Sequence, residues 1–133
     1  AAAERDGVEI DISSFKTPHT NNHLVIEGAG GLLVPLNDKD TILNLIESLN
    51  CEVILVSRHY LGSINHTLMS IEALQQKNIP IKGILFNGKE NKDTESIITK
   101  MSGVNIIGRI DELDDLNKSV INSVAQNLKN KLI

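Results

Sequence analysis

Apolar residues along this chain follow two alternating rhythms. Short apolar runs at 24–26, 52–57, 81–86 and 104–107 read as strands buried on both faces. Between them, apolar positions recur every three or four residues. Ile42, Leu45, Ile46 and Leu49 mark one helical face, and Ile64, Leu68, Ile71 and Leu74 mark a second. Asn78-Ile79-Pro80 closes that second helix, because proline cannot continue it. Asp93 is placed to cap a short helix carrying Ile97, Ile98 and Met101. Leu113, Leu116, Val120, Val124, Leu128 and Leu132 form one face of a long C-terminal helix. No repeat, linker or low-complexity tract interrupts the alternation. The pattern predicts a single α/β domain over 1–133, a parallel β-sheet with helices on both faces.

Ligands on such sheets sit at the carboxyl ends of the strands, so those ends select the residues to examine. The first run leads through His23-Leu24-Val25-Ile26 into Glu27-Gly28-Ala29-Gly30-Gly31, a carboxylate followed by three glycines in four residues. Glycines there let the backbone pass close to something other than protein. The second strand runs out into Arg58-His59-Tyr60-Leu61-Gly62-Ser63-Ile64-Asn65, the third into Asn87-Gly88, and the fourth into Gly108-Arg109-Ile110-Asp111.

Composition narrows the classes. With 133 residues, 41% of them hydrophobic, the chain is long enough for one real core. Aromatics at 2% leave that core to Ile, Leu and Val, as in parallel sheets. A net charge of −4 and the lack of a Lys/Arg cluster argue against a nucleic-acid partner. No apolar segment is long enough for a membrane span, and the start does not read as a signal peptide. It opens instead as if inside a helix, without a Met. Cys51 is the only cysteine, which excludes an internal disulfide and suits a reducing cytoplasm.

Two patterns that suggest phosphate binding fail on placement. Gly83-Ile84-Leu85-Phe86-Asn87-Gly88-Lys89-Glu90 has the spacing of a GxxxxGK loop. Its first four residues belong to a strand, however, and Glu90 replaces the required hydroxyl. Gly28-Ala29-Gly30 opens like a dinucleotide fingerprint, but Leu33 stands where the third glycine belongs. The chain carries no phosphate cradle of its own.

Three features remain, each with two readings. Glu27 at a strand end can reach a Mg²⁺ held by nucleotide phosphates, or it is a solvated acid beginning a loop. Ser63 opens a helix, whose free N–H groups suit a carboxylate or phosphate, or it simply caps that helix. Capping leaves Asn65 unexplained, a poor helix former in the first turn. The Asn87 amide offers a donor and an acceptor that match the N6 and N7 edge of adenine, while Asn-Gly is also a common turn. His19, His23, His59 and His66 show no metal-ligand spacing and read as unrelated, and no Ser/His/Asp or Cys/His set is discernible.

Together these residues resemble the C-terminal part of the dethiobiotin synthetases, which close the ureido ring in biotin synthesis. The matching blocks are Val25-Ile26-Glu27-Gly28-Ala29-Gly30-Gly31 with Pro35-Leu36, Val53-Ile54-Leu55-Val56, Leu61-Gly62-Ser63-Ile64-Asn65-His66, Lys82-Gly83-Ile84-Leu85-Phe86-Asn87 and Ile107-Gly108. Ala3-Glu4-Arg5-Asp6-Gly7-Val8-Glu9-Ile10 also fits the segment before the acidic strand, so the likeness covers nearly all of the chain.

The resemblance implies a P-loop NTPase-like three-layer sandwich whose N-terminal strand and phosphate loop are absent from this stretch. It implies a cytoplasmic, Mg²⁺-dependent, homodimeric ligase with 7,8-diaminononanoate, CO₂ and ATP as substrates. Residues carried over for ATP are Glu27, Gly28, Ala29, Gly30, Asn87, Gly88, Asp111, Glu112 and Leu113, with Glu27 also the metal ligand. Leu61, Gly62, Ser63 and Asn65 correspond to the clamp on the substrate's distal carboxylate, formed across a dimer interface. The family's catalytic lysines are expected upstream, so the 133-residue chain alone is expected to be inactive. Asp111 stands where many relatives place proline, and Ser96 where some use a tyrosine near the carboxylate. Two further readings stay open: a related amidoligase, such as those of cobalamin synthesis, and a non-catalytic binding domain derived from the same fold.

Overall fold

A computed structural model describes residues 2–132, leaving Ala1 and Ile133 outside the described residues. The chain divides into two compact units, Ala1–Cys51 and Glu52–Ile133.

The first unit is held by turns rather than a sheet. It contains helix α1 (Ala2–Arg5), a 3-10 turn at Ile12–Ser14 and helix α2 (Ile42–Leu49). Asp11 caps the 3-10 turn, accepting from the Ser13 hydroxyl at 2.7 Å and its N–H at 2.9 Å. Those two bonds, the hydroxyl first, hold its carboxyl below the usual range. Asn37 Oδ1 accepts the N–H groups of Lys39 and Asp40, and its Nδ2 donates to Ile10 O and Asp40 Oδ2, so one amide closes a loop. At the start of α2, the Thr41 N–H and hydroxyl both donate to Asn44 Oδ1. Ile42 and Leu43 are buried, on the helix that the apolar spacing predicts.

The strand expected at 24–26 does not form. Leu24 is 45% exposed, Val25 89% and Ile26 50%, and no ladder includes them. An apolar triplet has the side chains of a strand, but a strand exists only where a neighbouring backbone completes its hydrogen bonds.

The second unit is a parallel sheet. Strands β1 (Val53–Arg58), β2 (Ile81–Asn87) and β3 (Ile106–Ile110) pair in the order β1-β2-β3, connected through α3 (Ser63–Gln76) and α4 (Lys92–Ser102) and followed by α5 (Lys118–Leu132). Alternation along β2 sends Ile84 and Phe86 to one face, where both are fully buried in a cluster with Ile71 of α3, Ile98 of α4 and Val104. Leu85 points to the other face. There, a Cβ on Gly108 would lie 2.5 Å from Leu128 Cδ2 of α5 and 3.9 Å from Leu85 Cδ1. The bare Gly108 is what lets α5 approach. Helices therefore cover both faces, the α/β architecture that the alternating pattern predicts.

Several boundaries differ from the sequence expectation for local reasons. The last strand is Ile106–Ile110 rather than 104–107, and Val104 instead fills the core before it. Asn91, not Asp93, caps α4: it is extended, and its side chain accepts from Thr94 N–H at 3.1 Å. Asp93 lies one position inside the helix, in the first turn. The C-terminal helix begins at Lys118 rather than near Leu113, because Asn117 Oδ1 accepts the N–H groups of Ser119 and Val120 and so starts the helix there. Leu113 is half-buried and Leu116 74% exposed, both outside the helix. Gly83 to Asn87 all lie within β2, which disposes of the GxxxxGK reading.

Candidate functional site

The carboxyl edge of this sheet carries a small recess of about 100 Å³, lined by Arg58, His59, Asn87, Gly88, Lys89 and Glu112. Register explains the grouping, since Arg58 pairs with Asn87 and Asn87 with Ile110, so three adjacent strands end side by side. Asn87 is exposed at the end of the central strand. Gly88 turns the chain away with φ +100°, and its N–H donates to Ile110 O at 2.8 Å. Arg58 and Glu112, both largely exposed, approach to 3.9 Å across the rim. Of the residues carried over for ATP, the recess brings together Asn87, Gly88 and Glu112. Asp111 and Leu113 flank Glu112 in the loop after β3 without lining the recess.

Beside it lies a polar network that no sequence motif announced. Glu95, 6% exposed in the first turn of α4, accepts from His59 Nε2 at 2.8 Å, from Asn91 N–H at 3.1 Å and from Arg109 at 2.5 Å. Burial is the largest single influence on its carboxyl and pushes it up. The hydrogen bonds from Arg109, Asn91 and His59, with the Arg109 charge, together outweigh burial and hold it below the usual range. The same hydrogen bond to Glu95 raises the Arg109 guanidinium further. The His59 ring stacks on Phe86, centroids 5.1 Å apart, and the Arg109 guanidinium stands 6.0 Å from the same ring. His59, set aside with the other histidines, is in fact fixed against the core. Its partners lie 36 residues away at Glu95, and Glu95 lies 14 from Arg109, so no local spacing could reveal the set.

The start of α3 corrects one expectation about Ser63. The cap position is Gly62, in the left-handed region at φ +97°, and Ser63 is the first helical residue, buried. No side chain caps this helix. Leu61 and Asn65 are exposed beside it, and Tyr60 and His66 hydrogen-bond at 2.7 Å across the turn. A fourteen-residue helix with an uncapped amino end suits an anionic group.

In the first unit, Glu27, Gly28, Ala29 and Gly30 lie in an exposed loop that bends at Ala29 and Gly30. Gly30 adopts φ +95°, and a Cβ there would come within 3.0 Å of Val34 Cγ2. Among the described residues, no group of three or more His, Cys, Asp or Glu could hold a metal alone. No helix among them is long and apolar enough to cross a membrane.

A parallel sheet with helices on both faces and its polar groups gathered at the carboxyl edge defines an α/β protein, an architecture consistent with a P-loop NTPase-like fold. More narrowly, the chain belongs to the AAA domain family, whose model matches residues 1–120. It is 50% identical over 132 residues to the ATP-dependent dethiobiotin synthetase BioD of Christiangramia forsetii, covering 99% of this chain and 63% of that protein. The protein of the same name from Cytophaga hutchinsonii is 47% identical over 129 residues, 96% of this chain and 63% of that one. The Brucella ovis protein of that name is 46% identical over 127 residues, 95% of this chain and 60% of the relative. The chain therefore spans about three fifths of the length of the curated relatives it matches.

Proposed function

We propose that this chain is part of an ATP-dependent dethiobiotin synthase, a ligase of biotin biosynthesis. The observation that carries this reading is identity of 46–50% with relatives of that name along nearly the whole chain. The local geometry is consistent with it. In the reaction, an amine of 7,8-diaminononanoate takes up CO₂ as a carbamate, and ATP transfers its terminal phosphoryl group to the carbamate oxygen. The second amine then attacks the carbonyl carbon, phosphate leaves, and the cyclic urea forms.

On this reading Asn87 and Gly88 meet adenine, bordered by Asp111, Glu112 and Leu113, while Glu27, Gly28, Ala29 and Gly30 serve the phosphates. The uncapped start of α3, with Leu61, Gly62, Ser63 and Asn65, takes the substrate's distal carboxylate in a homodimer. Mg²⁺ favours one or two carboxylates, with water and phosphate oxygens completing its shell, so the single exposed Glu27 in a glycine-rich loop fits such an ion. When bound, the ion neutralises phosphate charge. We place the protein in the cytoplasm, as a single domain over 1–133 within the longer enzyme.

The deciding experiment assays the full-length product of the native locus for dethiobiotin formed from diaminononanoate, bicarbonate and Mg-ATP. Turnover dependent on all three is the expected result. A full-length product with intact fold and no turnover overturns the assignment. The isolated 133-residue chain is expected to show none.

A further inference from the structure

The recess beside Asn87 contains a group whose tautomer, in the neutral ring, is set by a charged partner. A terminal amide such as Asn87 can flip and offer either donor or acceptor to a given ligand atom, so alone it discriminates poorly between base edges. His59 is different. Its Nε2 faces Glu95 Oε1 at 2.8 Å, and the carboxylate is held by Arg109 and by the Asn91 N–H as well. An ionised carboxylate only accepts, so Nε2 carries the proton, and in the neutral ring Nδ1 is left as a bare acceptor. That atom is buried and has no partner among the described residues, although His59 lines the recess. A buried acceptor without a partner is costly unless something supplies a donor.

We propose that His59 discriminates the base entering this recess by accepting a hydrogen bond from an exocyclic amine through Nδ1, and that Glu95 positions it by pinning the Nε2–H tautomer. The inference rests on the nucleotide reading of the site and adds its specificity: a 6-amino purine over a 6-oxo purine. An amine donates to the fixed lone pair, whereas a carbonyl oxygen opposes it. Stacking on Phe86 holds the ring plane, and Arg109 on the neighbouring strand keeps Glu95 charged. On this proposal the rim of the recess parts to admit the base. The rim is Arg58 and Glu112, with side chains 71% and 74% exposed and a single 3.9 Å contact between them, which costs little to break.

The test measures ATP and ITP binding by calorimetry on the full-length protein with Mg²⁺ and no diaminononanoate. These nucleotides differ at the six position, amine against carbonyl, and at the adjacent N1, which is a bare acceptor in ATP and carries a proton in ITP. The wild type is expected to prefer ATP by about tenfold or more, equivalent to one good hydrogen bond. His59→Phe, which keeps a ring over Phe86, and Glu95→Gln are each expected to reduce that ratio to about threefold or less. Nitrogen-15 histidine spectra of the wild type are expected to show the Nε2–H tautomer, with the Nδ1 resonance moved by ATP and not by ITP. That measurement decides the matter even where a variant fails to fold. A wild type that prefers ATP while both variants keep the ratio overturns the inference alone, as does a wild type without preference or an Nδ1 resonance unmoved by ATP. A wild type that binds neither nucleotide overturns the nucleotide reading and the inference with it.

Discussion

Glu95 on α4 and Arg109 on β3 are joined by a 2.5 Å hydrogen bond in which both side chains are more than four-fifths buried. The contact ties the first turn of a helix to the strand at one edge of the sheet, directly under the residues that line the recess. Breaking one partner of such a pair leaves an uncompensated charge, which costs about 3–5 kcal/mol, whereas replacing both by apolar groups is often neutral.

Glu95→Ala is therefore expected to destabilise the second unit by about 3 kcal/mol in denaturant unfolding, and the double change Glu95→Ala with Arg109→Met to recover most of it. A single variant within about 0.5 kcal/mol of wild type would show that water already compensates Arg109.

Acid stability follows from the same carboxylate. Its folded value lies below the ordinary 4.5, so the native state holds fewer protons there than the unfolded chain. The stabilisation is complete above 4.5 and is lost as pH falls through the lower folded value. Unfolding midpoints measured across that range are expected to decline in wild type and to decline less in Glu95→Gln. Parallel curves would assign the acid sensitivity to other carboxylates.

Gly83 is a steric site. A Cβ there would stand 2.7 Å from Asn105 O, a backbone atom that already accepts the Ile84 N–H, so the β2–β3 pairing itself must shift. Gly83→Ala is expected to cost about 2 kcal/mol or more, seen as a lowered thermal midpoint by circular dichroism. Gly31→Ala meets nothing within 4 Å and is expected to leave the midpoint unchanged. Equal effects at the two positions would contradict the close strand contact.

The proposed roles of Asn65 and Glu27 are separable. Asn65→Ala in the full-length protein is expected to weaken diaminononanoate about tenfold and spare ATP, as loss of one hydrogen bond to a charged group would. Glu27→Gln is expected to do the reverse, weakening Mg-ATP. Asn65→Ala weakening both ligands equally would remove the carboxylate clamp.

Legibility from sequence tracked the distance over which each feature is decided. Helices α2 and α3 and strands β1 and β2 follow from apolar period and a proline stop, which act within a few residues. The run at 24–26 failed because its side chains say nothing about whether a backbone lies alongside. Asp93 and Leu113 misled because several polar residues competed for each cap, and the backbone geometry at Asn91 and Asn117 chose between them. The Asn87 position was readable because an apolar strand ends there, whereas the cap of α3 fell one residue earlier than expected, on Gly62.

By itself, then, the sequence determined the alternation of strands and helices after residue 41, the apolar composition of the core and the loops that carry polar groups, because periodicity and chain stops are local properties. The tertiary structure alone decided that His59, Glu95 and Arg109 form one network and that Gly108 admits Leu128. Those are meetings between distant segments, set by strand register and helix packing, and no spacing along the chain encodes them.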